Sequence, residues 1–267
     1  MKEKIRLDAL LVERGLFSGR EKAKAAIMAR EVLVNGAYQD KAGYAVDPKA
    51  QIEVKTAALP FVSRGGLKLA KAVEVFAVDF TNKTVLDIGS STGGFVDCAL
   101  QNGAAKVYAV DVGYGQLAWK LRQDERVIVI EKTNARYLTE EQIPEGIDIL
   151  TCDASFISLG KVLTAAAAFL KAEGQAVLLV KPQFEAGKEN VGKKGVVKDA
   201  AIHFQVLQNV ITEIGSLGLI ARAVDFSPIT GPEGNIEYLL LAVKNGSSVE
   251  IDLLNTVENA HKYFEKQ

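Results

Sequence analysis

Between residues 84 and 243 the chain alternates short apolar runs with stretches of helical periodicity, and no other feature constrains the fold as strongly. The runs are Val85–Ile88, Lys106–Val110, Val127–Glu131, Ile147–Cys152, Ala176–Val180, Leu219–Phe226 and Glu237–Val243. They have strand length and are rich in Val, Ile and Leu. Helical patterns lie between most of them, at Phe95–Gln101, Leu117–Arg122, Leu159–Leu170 and Ala201–Leu217. Strands alternating with helices predict an α/β fold, a seven-stranded and mostly parallel sheet covered on both faces. The last connection, "SPITGPEGN", is too short for a helical crossover, so the final two strands are expected to form an antiparallel hairpin.

A chain of 267 residues with 48% hydrophobic content has room for one large domain and one small one. No apolar run approaches the roughly 18 residues of a membrane span, and "MKEKIRLDALL" carries no secretory pattern, so a cytoplasmic protein with no membrane contact is expected. Cys98 and Cys152 stand far apart in apolar segments and read as buried free thiols. With two histidines and no Cys/His cluster, no metal is expected, and a monomer is the simplest state. The net charge of −1 is unevenly divided: residues 1–72 hold 14 basic and 8 acidic side chains, a net of +6, and the rest carry −7. A basic front end on an acidic body points to a polyanionic partner.

Residues 5–54 read as a separate unit. Ile5, Leu7, Leu10 and Leu11 recur at helical spacing, with Gly15 as a stop. Ser18 is placed to cap a second helix, "GREKAKAAIMAR", with Ala23, Ala26 and Ile27 inward and Arg20, Lys22, Lys24 and Arg30 outward. Asn35-Gly36 after a Val/Leu run is a hairpin signal, and Gln51–Lys55 alternates as a last strand. With Arg6, Leu7, Asp8, Ser18, Arg20, Ala23, Ile27, Val32, Val34, Asn35 and Gly36 as signature residues, residues 1–54 resemble the S4-like RNA-binding domain of a small-subunit ribosomal protein, pseudouridine synthases and tyrosyl-tRNA synthetases. The resemblance implies an electrostatic, shape-reading RNA contact through Arg6, Arg20, Lys22, Lys24 and Arg30. Residues 55–62 read as a linker, and residues 63–267 as the second domain, opening with Ser63 as the cap of a helix over "RGGLKLAKAVEVF".

The stretch "TVLDIGSSTGGFVDCAL" follows the first strand into a helix. Ligands of such sheets sit at the carboxyl ends of the strands. The loop reads D-x-G-x-x-x-G-G rather than the dinucleotide pattern G-x-G-x-x-G, so it offers no pyrophosphate cradle. The second strand ends in Asp111, placed to take both hydroxyls of a ribose. These features resemble the S-adenosylmethionine-dependent methyltransferases. The resemblance implies S-adenosyl-L-methionine as cofactor, bound by Asp87, Gly89, Ser90, Gly93, Gly94, Phe95, Asp111, Asn134 and Asp153. Asp87 would meet its cationic amino end, Asp111 its ribose and Asn134 its adenine.

Four further residues stand out: Lys68 in "SRGGLKLA", Asp153 in "LTCDASFISL", Lys181 in "LLVKPQFEAG" and Glu237 in "GPEGNIEYLL". A lysine directly after the apolar run "AVLLV" is costly without partners or a function. The order Lys–Asp–Lys–Glu resembles the catalytic tetrad of FtsJ-like RNA 2′-O-methyltransferases. With the front-end domain, the chain is similar at nearly full length to the TlyA, or haemolysin A, family of ribosomal RNA cytidine 2′-O-methyltransferases. The spelling of the linker departs from that of members that modify both ribosomal subunits.

The resemblance implies ribosomal RNA or ribosomal subunits as partner, with Lys181 nearest the acceptor hydroxyl and Asp153 and Glu237 orienting the two lysines. Arg64, and Lys188, Lys193 and Lys194 in the loop "QFEAGKENVGKKG", would grip phosphates, and Phe184 would stack on a base. Gly231 and Asn235 would shape the turn that presents Glu237. Two other readings stay open: a membrane-acting haemolysin, as the second family label suggests, and a non-catalytic rRNA-binding assembly factor.

Overall fold

The computed structural model describes residues 4–17, 19–28, 31–54, 60–231 and 233–266. Ser18, Arg30 and linker residues 55–59 lie outside the described residues. The chain forms two compact units, residues 1–59 and 60–267.

The first unit runs β1 (Ile5–Arg6), α1 (Leu7–Glu13), α2 (Arg20–Met28), β2 (Val32–Val34), β3 (Ala37–Gln39), β4 (Ala45–Val46) and β5 (Ile52–Val54). β2 lies between β3 and β5, antiparallel to both. The two residues joining β2 to β3 are Asn35 and Gly36, with φ of 51° and 80°, the left-handed pair that matches strand twist in a tight hairpin. Ile5 does not extend the first helix: it pairs with Val46 in the β1–β4 ladder. The cause is local, since the Leu7 and Asp8 amides donate to Tyr44 O (2.8 Å) and Ala42 O (3.1 Å) and so find partners from another segment. Leu7, Leu11, Ile27 and Val32 are fully buried between helices and sheet.

Beside that core lies the buried side chain of Asp8. Arg6 grips it with Nε (3.0 Å) and Nη2 (2.9 Å), and Arg20 Nη2 joins at 3.0 Å. Both arginine side chains remain about half exposed, yet their forks are aimed by one carboxylate rather than free as expected. Lys24 pairs with Glu21 at 2.6 Å, while Lys22 is exposed. The Arg6 hydrogen bonds hold the Asp8 carboxyl down at about 2.

The second unit runs α3 (Gly65–Phe76), β6 (Thr84–Ile88), α4 (Gly94–Gln101), β7 (Lys106–Val110), α5 (Trp119–Arg122), β8 (Val127–Ile130), β9 (Ile147–Cys152), α6 (Leu159–Val162), α7 (Ala166–Phe169), β10 (Leu170–Val180), α8 (Pro182–Glu185), α9 (Ala200–Ser216), β11 (Ile220–Phe226), β12 (Tyr238–Val243) and α10 (Leu253–Phe264). The seven strands form one sheet in the order β11-β12-β10-β9-β6-β7-β8. Every neighbouring pair is parallel except those made by β12, which runs antiparallel to β10 and β11. The expected terminal hairpin is therefore present.

Alternation along the strands splits the core. Val85, Ile149 and Val177 face α3, α4 and α5, while Leu86, Leu150 and Leu178 face α6, α7, α9 and α10. Phe61 and Val62, expected in the linker, pack against the first of these layers and so belong to the second unit.

The single helix expected over Leu159–Leu170 is instead two short ones, α6 and α7, and β10 begins at Leu170. Thr164 separates them: its hydroxyl donates to the carbonyls of Gly160 (3.1 Å) and Lys161 (2.9 Å), a side-chain bond that competes with the helical ladder. Lys71 fastens α3 to the far sheet edge, donating to Phe226 O at 2.6 Å and pairing with Asp225 at 3.2 Å. Cys98 and Cys152 are free and buried. No helix among the described residues is long and apolar enough to cross a membrane.

Asp8 gives a test of the first unit. Its depressed pKa means that its contribution to stability is present above the ordinary carboxylate range and is lost as pH falls toward about 2. Asp8→Asn should cut amide hydrogen-exchange protection in residues 4–54 of the full chain by about tenfold at pH 6, the scale of one lost charge-assisted hydrogen bond. The gap should narrow as pH falls below 4. Equal protection at pH 6 would show that the arginine clamp carries no stability.

Candidate active site

The carboxyl ends of β6, β9 and β10 and the start of β12 open into one cavity of about 840 Å³. Asp153 directly follows β9, Lys181 directly follows β10 and Glu237 directly precedes β12. Lys68 enters from the first turns of α3. All four line the cavity, with Arg64, Gly89, Ser90, Gly94 and Phe95 of the expected set.

The four form two ion pairs. Lys68 Nζ meets Glu237 Oε2 at 2.6 Å, with side chains 10% and 1% exposed. Lys181 Nζ meets Asp153 Oδ1 at 2.6 Å, with side chains 8% and 21% exposed. Lys181 also donates to Ser155 Oγ (2.8 Å) and to the Asp153 carbonyl (3.2 Å). Gln183 Nε2 donates to the other Glu237 oxygen at 3.3 Å. A Cβ at Gly231 would stand 2.6 Å from Glu237 Oε1, so this position must be glycine for the carboxylate to keep its place.

The glycine loop differs from its expected role. Gly93 has φ of 98°, and its bare α-carbon faces Leu117 and Leu121 rather than open space. A Cβ at Gly94 would run into Ser63 Oγ and, at 2.7 Å, the Gly66 amide. These glycines are needed for close approach of α3, α4 and α5, and only Gly89 and Gly94 face the cavity.

Asp87 lies within β6, not at its end, and does not line the cavity. It is 1% exposed. Thr151 donates to its Oδ1 at 2.6 Å, and Oδ2 is buried without a partner among the described residues. Burial lifts its carboxyl to about 7 against the pull of Thr151. Asp111 lies just beyond β7, where its oxygens accept from the backbone amides of Ser91 (2.8 Å) and Gly113 (2.6 Å). Asn134 caps the turn at Ala135–Tyr137, accepting from the Arg136 amide at 3.1 Å.

The wall opposite the glycine loop is the segment after β10. Asn235 clamps it, accepting from the Val197 amide (3.0 Å) and donating to Gly195 O (2.9 Å). Buried His203 takes the Val197 carbonyl through Nε2 (3.0 Å), so its Nδ1 accepts the Tyr238 hydroxyl (2.8 Å). Burial lowers His203 to about 4. Lys188, Lys193 and Lys194 are exposed on this segment and do not line the cavity. Phe184 stacks at a tilt on Phe156, with centroids 4.9 Å apart. Phe156 is 90% exposed and has φ of 65°, a strained setting for a non-glycine residue.

Sequence reasoning missed Ser155, Gln183 and Glu185, each visible only as a neighbour of a named residue. Glu185 Oε1 accepts the Leu159 amide at 2.8 Å and so ties the end of the Asp153 loop to the helix that follows Lys181. Burial pushes its carboxyl up to about 7, with Glu213 adding to the rise and Lys161 opposing it.

Because the folded chain favours the protonated form of Glu185, the cost of its charge enters as pH climbs through the window from 4.5 to about 7. Glu185→Gln keeps an acceptor for Leu159 without the charge. Its thermal midpoint should gain on the wild type between pH 5 and pH 8 by about 2–4 °C, the shift that 1 kcal/mol gives a domain of this size. A difference that is constant with pH would place the Glu185 charge in solvent.

The FtsJ-like methyltransferase family model matches residues 61–244, and the S4 domain model matches residues 5–52. The chain is 50% identical over 272 residues to YqxC of Bacillus subtilis (strain 168), provisionally described as an rRNA methyltransferase, with 99% of this chain and 97% of that protein covered. It is 44% identical over 241 residues to the 16S/23S rRNA (cytidine-2′-O)-methyltransferase TlyA of Mycobacterium tuberculosis, with 90% of each chain covered. A solved structure from Streptococcus thermophilus, provisionally described as a hemolysin, superposes with a TM-score of 0.79 at 44% identity over 100% of this chain and 98% of that one. An S4 domain followed by an FtsJ-like domain, shared with these relatives at nearly full length, places the chain in the TlyA family of FtsJ-like methyltransferases.

Proposed function

We propose that this chain transfers a methyl group from S-adenosyl-L-methionine to the 2′-hydroxyl of a cytidine in ribosomal RNA. The observation that carries the reading is the pair of buried lysine–carboxylate contacts, each of 2.6 Å, converging on one cavity from four separate segments. A ribose hydroxyl is a weak nucleophile at neutral pH, and the site must orient it and meet the negative charge that develops on its oxygen. Two ammonium groups on largely buried side chains do that more effectively than they would free in water. Asp153 and Glu237 fix where those groups stand and balance their charge. A non-catalytic scaffold would have no use for two lysine–carboxylate pairs facing a cavity.

The residues present fit the cofactor. The unpartnered Asp87 oxygen suits a cationic group. Each Asp111 oxygen accepts one backbone amide and keeps lone-pair capacity for ribose hydroxyls. Bound there, the cofactor would supply a methyl group on a sulfonium: the new oxygen–carbon bond forms as the carbon–sulfur bond breaks, the sulfur leaves as a neutral thioether, and the proton of the 2′-hydroxyl passes to solvent. Gly89, Ser90 and Phe95 supply cavity wall in common with the tetrad.

The RNA would be held electrostatically. Arg6, Arg20 and Lys22 present basic groups on the first unit, and Arg64, Lys188, Lys193 and Lys194 do so on the second. The tilted Phe156–Phe184 pair offers a stacking surface beside Lys181, whose Nζ is 6.0 Å from the Phe184 centroid.

Lys181→Ala should lower transfer of labelled methyl from S-adenosylmethionine to ribosomal subunits by about 10²–10³-fold, the scale of removing one group that stabilises a developing oxyanion. The thermal midpoint should stay near that of the wild type. Methylation at the 2′-oxygen removes the nucleophile for alkaline cleavage, so the wild-type label should appear in an alkali-resistant dinucleotide. Label in mononucleotides, or undiminished transfer by Lys181→Ala, would contradict the reading.

A further inference from the structure

An ammonium group has three hydrogens to give. At Lys181 two are given, to Ser155 Oγ (2.8 Å) and the Asp153 carbonyl (3.2 Å), and the ammonium is also ion-paired with Asp153 Oδ1 at 2.6 Å, so three oxygens already surround it. An acceptor hydroxyl that reaches this lysine must displace one partner or be held through one. The Asp153 contacts are poor candidates for displacement. The carboxylate contact is largely buried, and parting it would leave an uncompensated charge in the cleft. The carbonyl sits at the end of β9, where the Asp153 amide donates to Ile88 O at 3.0 Å and fixes the backbone.

Ser155 is different. It is neutral, exposed and lines the same cavity. Its oxygen accepts from Lys181, and its own hydrogen has no acceptor among the described residues. The loop that carries it is held at both ends: Asp153 is paired with Lys181, and the Leu159 amide is held by Glu185. Between those points the backbone takes up the left-handed conformation at Phe156. A short loop so pinned presents its hydroxyl in one place.

We propose that Ser155 is a further catalytic residue, whose hydroxyl accepts a hydrogen bond from Lys181 and donates its own hydrogen to the acceptor 2′-oxygen. The ammonium polarises the serine O–H, which makes it a stronger donor as negative charge builds on the ribose oxygen. Lys181 then acts on that oxygen through Ser155 while keeping both contacts to Asp153. This assignment rests on the reading of the site as a 2′-hydroxyl methyltransferase.

The test uses the full chain, labelled S-adenosylmethionine and ribosomal subunits that lack the modification. Ser155→Ala should lower kcat by about 10²-fold, as expected for one donor lost at a developing oxyanion. The dissociation constant for S-adenosylmethionine and the KM for subunits should stay within about threefold of the wild type, because neither depends on charge that exists only in the transition state. Ser155→Thr, which keeps the hydroxyl, should recover most of the loss, and both variants should unfold at the wild-type temperature. Ser155→Ala turning over within threefold of the wild type would overturn the assignment. So would equal impairment of the alanine and threonine variants, or a loss matched by weaker S-adenosylmethionine binding. The position of the wild-type label separates the two failures. Label outside the ribose removes the functional reading itself, whereas ribose label with a fully active Ser155→Ala removes only Ser155.

Discussion

A lysine at the end of a strand whose last five residues are essentially inaccessible cannot stand without a counter-charge. The contact between Lys181 and Asp153 is therefore the constraint on which the rest of the site depends. It joins the ends of β9 and β10, two adjacent parallel strands, and so turns sheet register into the spacing of two functional groups. The second pair joins elements far apart in sequence, Lys68 and Glu237 being separated by 169 positions. The placement of that pair rests on helix α3, which Lys71 anchors to the sheet edge and which packs against α4 through Ser63 and Gly94. Burying two ion pairs adds little net stability by itself. Their benefit is positional, since a charge held by a buried partner keeps one orientation.

The glycine loop contributes to the same end by another route. Its glycines are dictated first by packing, because side chains at 93 and 94 would collide with Leu117, Leu121 and Ser63. Close packing draws the amino end of α4 and the Asp111 loop around the mouth of the sheet. The Ser91 and Gly113 amides converge on Asp111 and fix that carboxylate just beyond β7. Cavity lining and helix packing thus meet at Gly94.

Much of this was legible in the chain. Apolar runs followed by Asp or Lys report a strand that leaves the core, and that signal marked Asp153, Lys181 and Asp111 as residues that directly follow β9, β10 and β7. The final hairpin followed from a connection too short to cross the sheet. What periodicity cannot carry is which polar groups meet. Ser155 reaches Lys181 across 26 residues, and Glu185 reaches Leu159 across the same separation. Arg6 and Arg20 looked like free cations until Asp8 was found buried between them. That Asp87 would be buried within its strand, with Thr151 satisfying one oxygen, was likewise not visible in the pattern. Helix α10 drew no notice from the sequence, although its Leu253, Val257 and Ala260 close the second core layer.

If Lys68 with Glu237 and Lys181 with Asp153 act as two coupled pairs in one site, a mutant cycle on turnover will show it. The measured quantities are kcat values for Lys68→Ala, Glu237→Ala and the double variant, and likewise for Lys181→Ala, Asp153→Ala and their double. The account predicts that each double variant is about as slow as its slower single, because losing one partner already misplaces the other. Losses that multiply within each pair would show four independent contributions and contradict it.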